Sequence, residues 1–208
     1  MSTQIPVVSI VLTDMDRTSY ALHGFCSWLL QDLNEPYEVI VCLFNDEAPR
    51  FTQMSNAGNE LCQKQTRTWK RPAFFNISAA NNLGLHYARG RWVFFANSDV
   101  ICPSDYLRQV VGELRARNLY FVMGSRINLS QKLTDGLKPP QDHVAIGDYD
   151  YLRQVESSPE SKFWGFGSPW IIEKETAFAI GGYDPRVLCY EDRDISERAI
   201  HYLRQRDR

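Results

Sequence analysis

The segment Trp92 to Asp99, WVFFANSD, sets five apolar residues in a row and ends them on Asn97-Ser98-Asp99. A strand buried on one face alternates apolar and polar residues. An unbroken apolar run instead predicts a strand covered on both faces, as in a parallel sheet between helix layers. The polar tip then falls at the carboxyl end of the strand, the edge where open α/β sheets bind ligands. A carboxylate and an amide oxygen with one residue between them are hard-oxygen donors, suited to Mg²⁺ or Mn²⁺ held against a diphosphate. Asn, Ser and Asp also favour turns, so a ligand-free Asx-type turn is the competing reading of the same tip.

The flanking sequence alternates strand and helix patterns. Val7 to Leu12 is a β-branched run of strand length, followed by the turn TDMDRTS. Tyr20 to Leu33 has apolar residues at helical spacing, and Asn34-Glu35-Pro36 ends it. Tyr37 to Phe44 reads as a second buried strand. Met54 to Thr66 reads as a helix weakened by Asn56, Gly58 and Asn59, and Ala73 to Phe75 as a short strand. Ser78 to Ala88 predicts a helix capped by Ser78 and stopped at Arg89-Gly90. Ser104 is the expected cap of a helix reaching about Arg117, before a strand over Leu119 to Gly124. The stretch from Arg126 to Ser161 is rich in Pro, Asp, Gln and Ser and reads as a long loop with a short helix near Asp148 to Val155. Order resumes at Phe163 to Gly167, then a strand at Pro169 to Ile172, then a helix from Glu173 to Ile180. Gly181-Gly182 stops that helix, and a last one begins near Glu191. The pattern predicts an α/β fold: a mostly parallel central sheet with helices on both faces.

With 208 residues and 44% hydrophobic content, one well-cored domain is expected over 1-208. A net charge of -2 gives no general electrostatic reason to bind nucleic acid. The five arginines from Arg193 to Arg208 are interleaved with Asp192, Asp194, Glu197 and Asp207. They read as a solvated helix face, with contact to an anionic lipid surface as the lesser reading. The five cysteines form no CxxC pair, which points to a reducing, cytoplasmic compartment. The amino terminus has no secretory-signal pattern, and no apolar stretch reaches the roughly 18 residues that span a bilayer. Any work at a membrane is therefore expected from its inner face.

Several chemistries lack their motifs. No GxGxxG follows the first strand, and neither GxxxxGK[ST] nor GxSxG occurs. His23, His86, His143 and His201 show no metal-ligand spacing. What remains is a series of acidic groups after strands: Asp14 and Asp16, then Asn45, Asp46 and Glu47, then Asn97 and Asp99. In a parallel sheet these share one edge. A further cluster, Glu191-Asp192-Arg193-Asp194, opens the last helix, where the macrodipole favours carboxylates.

In order, VSIVLTDMDR, YEVIVCLFND, NISAANNLGLHYARGRWVFFANSDV, GFGSPWIIEKETAFAIGGYD and YEDRDISER resemble a family 2 glycosyltransferase of the GT-A fold. The likeness runs from about Val7 to Arg198, leaving the loop from Arg126 to Ser161 unmatched. Asn82, Gly84, Ala88 and Gly90 match that family's Asn-x-Gly, Ala-x-Gly block. Asn97-Ser98-Asp99 stands where the family's Asp-x-Asp holds a divalent cation, so Asp99 and Asn97 are the implied ligands of Mg²⁺ or Mn²⁺. Glu191 and Asp192 match the late Glu-Asp pair, which implies Asp192 as general base and Glu191 as acceptor-orienting.

The resemblance further implies an inverting transfer from a nucleotide-sugar donor to a hydroxyl of a glycan, polysaccharide or lipid-linked acceptor. A UDP-sugar is expected first, with dTDP- and GDP-sugars as alternatives. Residues 1-100 would form the donor half and 101-208 the acceptor half. Donor contacts are expected at Thr13, Asp14, Asp16, Arg17, Asn45, Asp46, Asn82, Asn97 and Ser98. Acceptor contacts are expected at Trp164, Gly165, Phe166 and Trp170, whose aromatic rings serve equally well as core or lid packing. The family's usual Pro-Thr-Tyr-Asn is Thr13-Asp14-Met15-Asp16 here, and its Asp-Asp-Gly-Ser is Leu43-Phe44-Asn45-Asp46. Those departures leave the nucleotide base open. They also keep a second class in play, a catalytically silent GT-A-like binding or scaffold module. A nucleotidyltransferase is a weaker third, because no glycine-rich basic loop follows the first strand.

Overall fold

A computed structural model describes residues 4–14, 18–43, 62–68, 76–123 and 170–206. Its elements in chain order are β1 (Val8–Asp14), α1 (Thr18–Leu29), β2 (Tyr37–Leu43), β3 (Cys62–Thr68), α2 (Ile77–Tyr87), β4 (Trp92–Asn97), α3 (Tyr106–Ala116), β5 (Phe121–Met123), β6 (Trp170–Glu173), α4 (Lys174–Ala179) and α5 (Glu191–Arg206).

The strands form one six-stranded sheet in the order β3-β2-β1-β4-β6-β5. β1 pairs in parallel with β2 and β4, and β2 in parallel with β3. β6 runs antiparallel to both β4 and β5, which makes the sheet mixed at one side. The register aligns Thr13 of β1 with Asn97 of β4 and Asp14 with Leu43 of β2, so the carboxyl ends of β1, β2 and β4 lie along one edge.

Side-chain alternation along the strands divides the core in two. On one face Val8, Ile10, Leu12, Phe94 and Ala96 pack under Phe25, Trp28 and Leu29 of α1 and Leu107, Val111 and Leu114 of α3. On the other, Val11, Val93, Phe95 and Trp170 pack under Leu85 of α2, Ala177 of α4 and Ile195 and Ala199 of α5. The six residues of β4 from Trp92 to Ala96 and Asn97 follow the expected pattern: five buried, the last half-buried. Each fully buried large side chain contributes about 1.5–3 kcal/mol, and Trp28, Trp92 and Trp170 are each no more than 2% exposed.

Several boundaries differ from the sequence expectation. Cys62 to Thr66 lies in β3, not in a helix from Met54, because CQKQTRT pairs along the polar edge beside β2. The cap of α2 is Asn76, whose side chain accepts the Ala79 N–H at 2.8 Å, so Ser78 falls inside the helix. The N-cap of α3 is Asp105, one residue after Ser104. Gly181 and Gly182 do end α4, with φ of +82° and +67°. All five cysteines are free, four of them buried and Cys189 exposed. Among the described residues, no helix is long and apolar enough to cross a membrane.

Candidate active site

The tip of β4 is held from below by one stripe of α1. A Cβ on Gly24 would lie 2.1 Å from the Ser98 carbonyl oxygen and 2.9 Å from that of Val100, so only glycine lets the tip cross the helix there. One turn on, the Ser27 hydroxyl accepts the Cys102 N–H at 3.1 Å. Gln31 then donates to the Pro103 carbonyl at 2.8 Å and accepts the Leu107 N–H at 2.9 Å. The Asn97 carbonyl accepts the Val100 N–H at 3.1 Å and closes the turn. Ser98 is buried and donates to Asp14 Oδ1 at 3.2 Å, tying the end of β4 to the end of β1. Asp14 itself is 2% exposed, whereas Asp99 stands in solvent and Asn97 is half-buried. The sheet edge thus presents Asn97 and Asp99, and keeps Thr13, Asp14 and Ser98 beneath them.

The opposing carboxylates sit at the start of α5. Glu191, Asp192 and Asp194 occupy its first turn. Asp194 pairs with Arg198 and Glu197 with Arg193, which confirms a charge-paired helix face there. The Asp192 carboxylate accepts the Tyr183 hydroxyl at 3.1 Å through Oδ1. Tyr183 is 1% exposed and stands edge-on to Phe95, ring centroids 5.2 Å apart, with Trp170 at 5.7 Å. Burial pushes its phenol well above the usual range, and the Asp192 carboxylate acts in the same direction. Burial also raises the Glu191 carboxyl, with the neighbouring Asp192 charge adding to it. Phe95 and Asn97 share a face of β4 because side chains alternate. Asp192, bonded to the Tyr183 that packs on Phe95, therefore lies on the sheet face to which Asn97 belongs.

Two expected contacts are taken by the protein itself. Trp170 is 1% exposed, and its indole stacks on Phe95 at 4.7 Å and 25°, so it is a core residue and offers no face to a sugar. Asn82 accepts the Tyr183 N–H at 2.9 Å and donates to the Tyr183 carbonyl at 2.8 Å, so its amide is engaged by a loop instead of a donor. Asp16, Arg17, Asn45, Asp46, Trp164, Gly165 and Phe166 lie outside the described residues. So do the loop from Arg126 to Ser161 and the strand at Ala73 to Phe75.

One residue of the site, Tyr183, is absent from the sequence reading. Tyr183 looked like part of a Gly-Gly turn, and only its partner nine residues on reveals it. Tyr190 precedes the acidic pair with φ +61° and an 80% exposed side chain. Its carbonyl accepts the Asp194 N–H at 3.0 Å and so begins α5 from a left-handed conformation that a bulky residue rarely adopts. The GGY spelling and a capless helix start were the only signals available.

The model of the family described as Glycosyl transferase family 2 matches residues 33–168, more than half of the chain. The chain belongs to glycosyl transferase family 2. No curated protein matches it at a significant level. Among solved structures, S. aureus TarS 1-349 in complex with UDP superposes with a TM-score of 0.67 at 14% identity, covering 92% of this chain and 54% of that one. The mannosyltransferase PcManGT from Pyrobaculum calidifontis, in complex with GDP-Man and Mn2+, gives 0.63 at 16% identity over 95% of this chain and 52% of its own. A further TarS structure is covered over 33% of its length. The family 2 chain thus spans about half or less of these structures. The likeness establishes the GT-A fold: a mostly parallel sheet with helices on both faces.

The donor set at the β4 tip fits a hard divalent cation. Asp99 and Asn97 offer a carboxylate and an amide oxygen, and the neighbouring side-chain atoms of Ser98 and Asp14 are likewise oxygens. Among the described residues, no group of three His, Cys, Asp or Glu side chains converges as a closed metal site.

Proposed function

We propose that this chain is the catalytic region of a cation-dependent, inverting glycosyltransferase that moves a sugar from a nucleotide-sugar to a hydroxyl acceptor. One observation carries the reading. Asn97, which opens the polar Asn-Ser-Asp tip at the sheet's carboxyl edge, and Asp192, anchored by a core tyrosine that packs on Phe95, belong to the same face of β4. Residues 1-100 would form the donor half and 101-208 the acceptor half. Asp14, Asp16, Arg17, Asn45 and Asp46 are proposed as donor contacts, and Trp164, Gly165 and Phe166 as acceptor contacts. The TarS complexes with UDP and UDP-GlcNAc favour a UDP-sugar, and the mannosyltransferase complex keeps a GDP-sugar as the alternative.

Asp99 and Asn97 would hold Mg²⁺ or Mn²⁺, which offsets the charge of the departing diphosphate when bound. The chain's own part is proton transfer and positioning. Asp192 accepts the acceptor hydroxyl's proton as the new O–C1 bond forms on the face opposite the leaving group. The C1–O bond to the diphosphate breaks, and its electron pair departs with the nucleoside diphosphate. Glu191, with its raised carboxyl, is suited to share a hydrogen with the acceptor. The acceptor is proposed as a glycan or lipid-linked sugar met at the inner face of a membrane. Two arginines of α5, Arg193 and Arg198, are paired with its own acids Glu197 and Asp194, which takes part of the charge from that surface contact.

The test is thermal stability of the purified chain with UDP, GDP and dTDP and their sugars, in Mn²⁺ and in chelator. Ligand binding raises the melting temperature by mass action, by about 2.7 kcal/mol of stability at a hundredfold excess over Kd. A metal-dependent shift for one nucleotide, lost in Asp99→Ala, is expected. Asp192→Asn should keep that shift and lose at least a hundredfold in turnover. Full turnover in Asp192→Asn would remove it as base. The absence of a shift with every nucleotide would favour the silent-module reading, which rests on Met15 and Asn45-Asp46 replacing the usual donor motifs.

A further inference from the structure

We propose that Tyr183, clamped by Asn82 of α2, is the positioning residue that orients Asp192 for proton transfer; this rests on the reading of Asp192 as base.

The phenol is fixed on every side. Its ring packs edge-on against Phe95 of β4 and tilted against Trp170 of β6, and the side chain is 1% exposed. Its backbone is held at both polar atoms by the single amide of Asn82. The residue before it must be glycine. Gly182 has φ +67°, and a Cβ there would lie 2.6 Å from Asn82 Oδ1, in the position the clamp needs. Two further groups of α2 hold the same loop: Asn76 Nδ2 donates to the Pro185 carbonyl at 2.9 Å, and Ser78 Oγ to that of Val187 at 3.4 Å. Asp184 accepts the Arg186 backbone N–H and guanidinium, which closes the turn beyond it.

For packing alone a phenylalanine would serve at this place. A buried hydroxyl instead costs free energy unless it is bonded, and its bond here goes to Asp192 Oδ1. A carboxylate's terminal torsion is broad and twofold, so a half-buried aspartate at a helix start does not choose its own orientation. The bond from the phenol to Oδ1 fixes the plane in which the carboxylate meets the acceptor. The sheet core and α2 thereby set the angle of a side chain that belongs to α5. Asn82 acts through Tyr183 and, like it, is a positioning residue.

The experiment compares wild type with Tyr183→Phe, Asn82→Ala and Asp192→Asn. ¹³C NMR follows the carboxyl titrations of aspartate-labelled protein, and Asp192→Asn identifies the Asp192 signal by its absence. A hydrogen bond to the charged carboxylate favours it, so its loss in Tyr183→Phe should raise that signal's midpoint by about one pH unit. Asn82→Ala should raise it in the same direction by less. An unchanged midpoint in Tyr183→Phe overturns the proposal. Release of UDP from UDP-GlcNAc, and of GDP from GDP-mannose, then gives the kinetic split: kcat down about 10- to 100-fold in Tyr183→Phe with donor KM unchanged. Equal loss of nucleotide binding would mean a merely structural role and would also overturn it. If the midpoint moves in Tyr183→Phe while Asp192→Asn keeps full turnover, the base reading has failed and the positioning role falls with it.

Discussion

At the scale of single residues, the tip of β4 depends on an atom that is absent. Gly24 lies in the middle of α1, where glycine ordinarily weakens a helix by about 1 kcal/mol relative to alanine. Its place is explained by the Ser98 and Val100 carbonyl oxygens, which occupy the volume a Cβ would fill. These oxygens belong to backbone, so they yield only if the whole turn shifts. Gly24→Ala should therefore destabilise, against the helix-propensity expectation, by about 1–3 kcal/mol of overpacking. It should also weaken the Mn²⁺-dependent nucleotide shift, because relief comes most readily by lifting the Asn97–Val100 turn. Chemical denaturation gives the first quantity and the thermal shift the second. A Gly24→Ala protein more stable than wild type would mean that the tip is not held by α1. Nothing in the sequence distinguished this glycine from one tolerated in a helix, since its partner lies 74 positions away in the chain.

At the scale of elements, the helices do two jobs, and only one was legible. The apolar stripe of α1 and the buried run of β4 follow from spacing and apolar continuity, and the structure agrees with both. The polar stripes do not declare themselves in this way. Gly24 and Ser27 of α1, with Gln31 just beyond its end, hold the 98–107 segment, while Asn76, Ser78 and Asn82 hold the 183–187 loop. Their partners are backbone groups with no sequence signature. β3 was misread for a related reason: CQKQTRT lacks the apolar alternation of a half-buried strand, yet β2 supplies its hydrogen bonds. The Asn-x-Gly block resolves into geometry, with Asn82 on Tyr183 and Gly84 pressed against β1. A Cβ on Gly84 would meet Val11 Cγ1 at 2.2 Å. The obstacle here is a side chain, which predicts a rescue. Gly84→Ala should cost about 1–3 kcal/mol. Val11→Ala alone should cost about the same through its cavity. The double variant should cost less than the sum of the two by more than 0.5 kcal/mol, the coupling expected of residues in contact. Strict additivity in denaturant titrations would show that α2 does not dock on β1 through this pair.

At the scale of the whole molecule, one acid at the start of α5 makes stability depend on pH. Glu191 is the informative one, because burial and the Asp192 charge both raise its carboxyl above the ordinary value of 4.5. A carboxyl raised in the folded state binds its proton more tightly there than in the unfolded chain. Between 4.5 and the raised value the native state thus carries more protons, so stability falls as pH rises through that window and levels off above it. This is opposite in sign to Asp184, whose carboxyl the Arg186 guanidinium holds near 2 and which favours folding at all higher pH. Glu191→Gln removes the titration while keeping the shape of the side chain. Melting temperatures of the two proteins should converge near pH 4 and separate as pH rises, with Glu191→Gln the more stable at neutrality. Parallel curves across the range would place Glu191 in solvent, without the burial that raises its proton affinity. The expected divergence would also show a stability cost at neutral pH for keeping an ionised pair at the helix start, where the proposed acceptor binds. The same substitution should then lower turnover while raising stability, as expected where activity depends on a destabilised site.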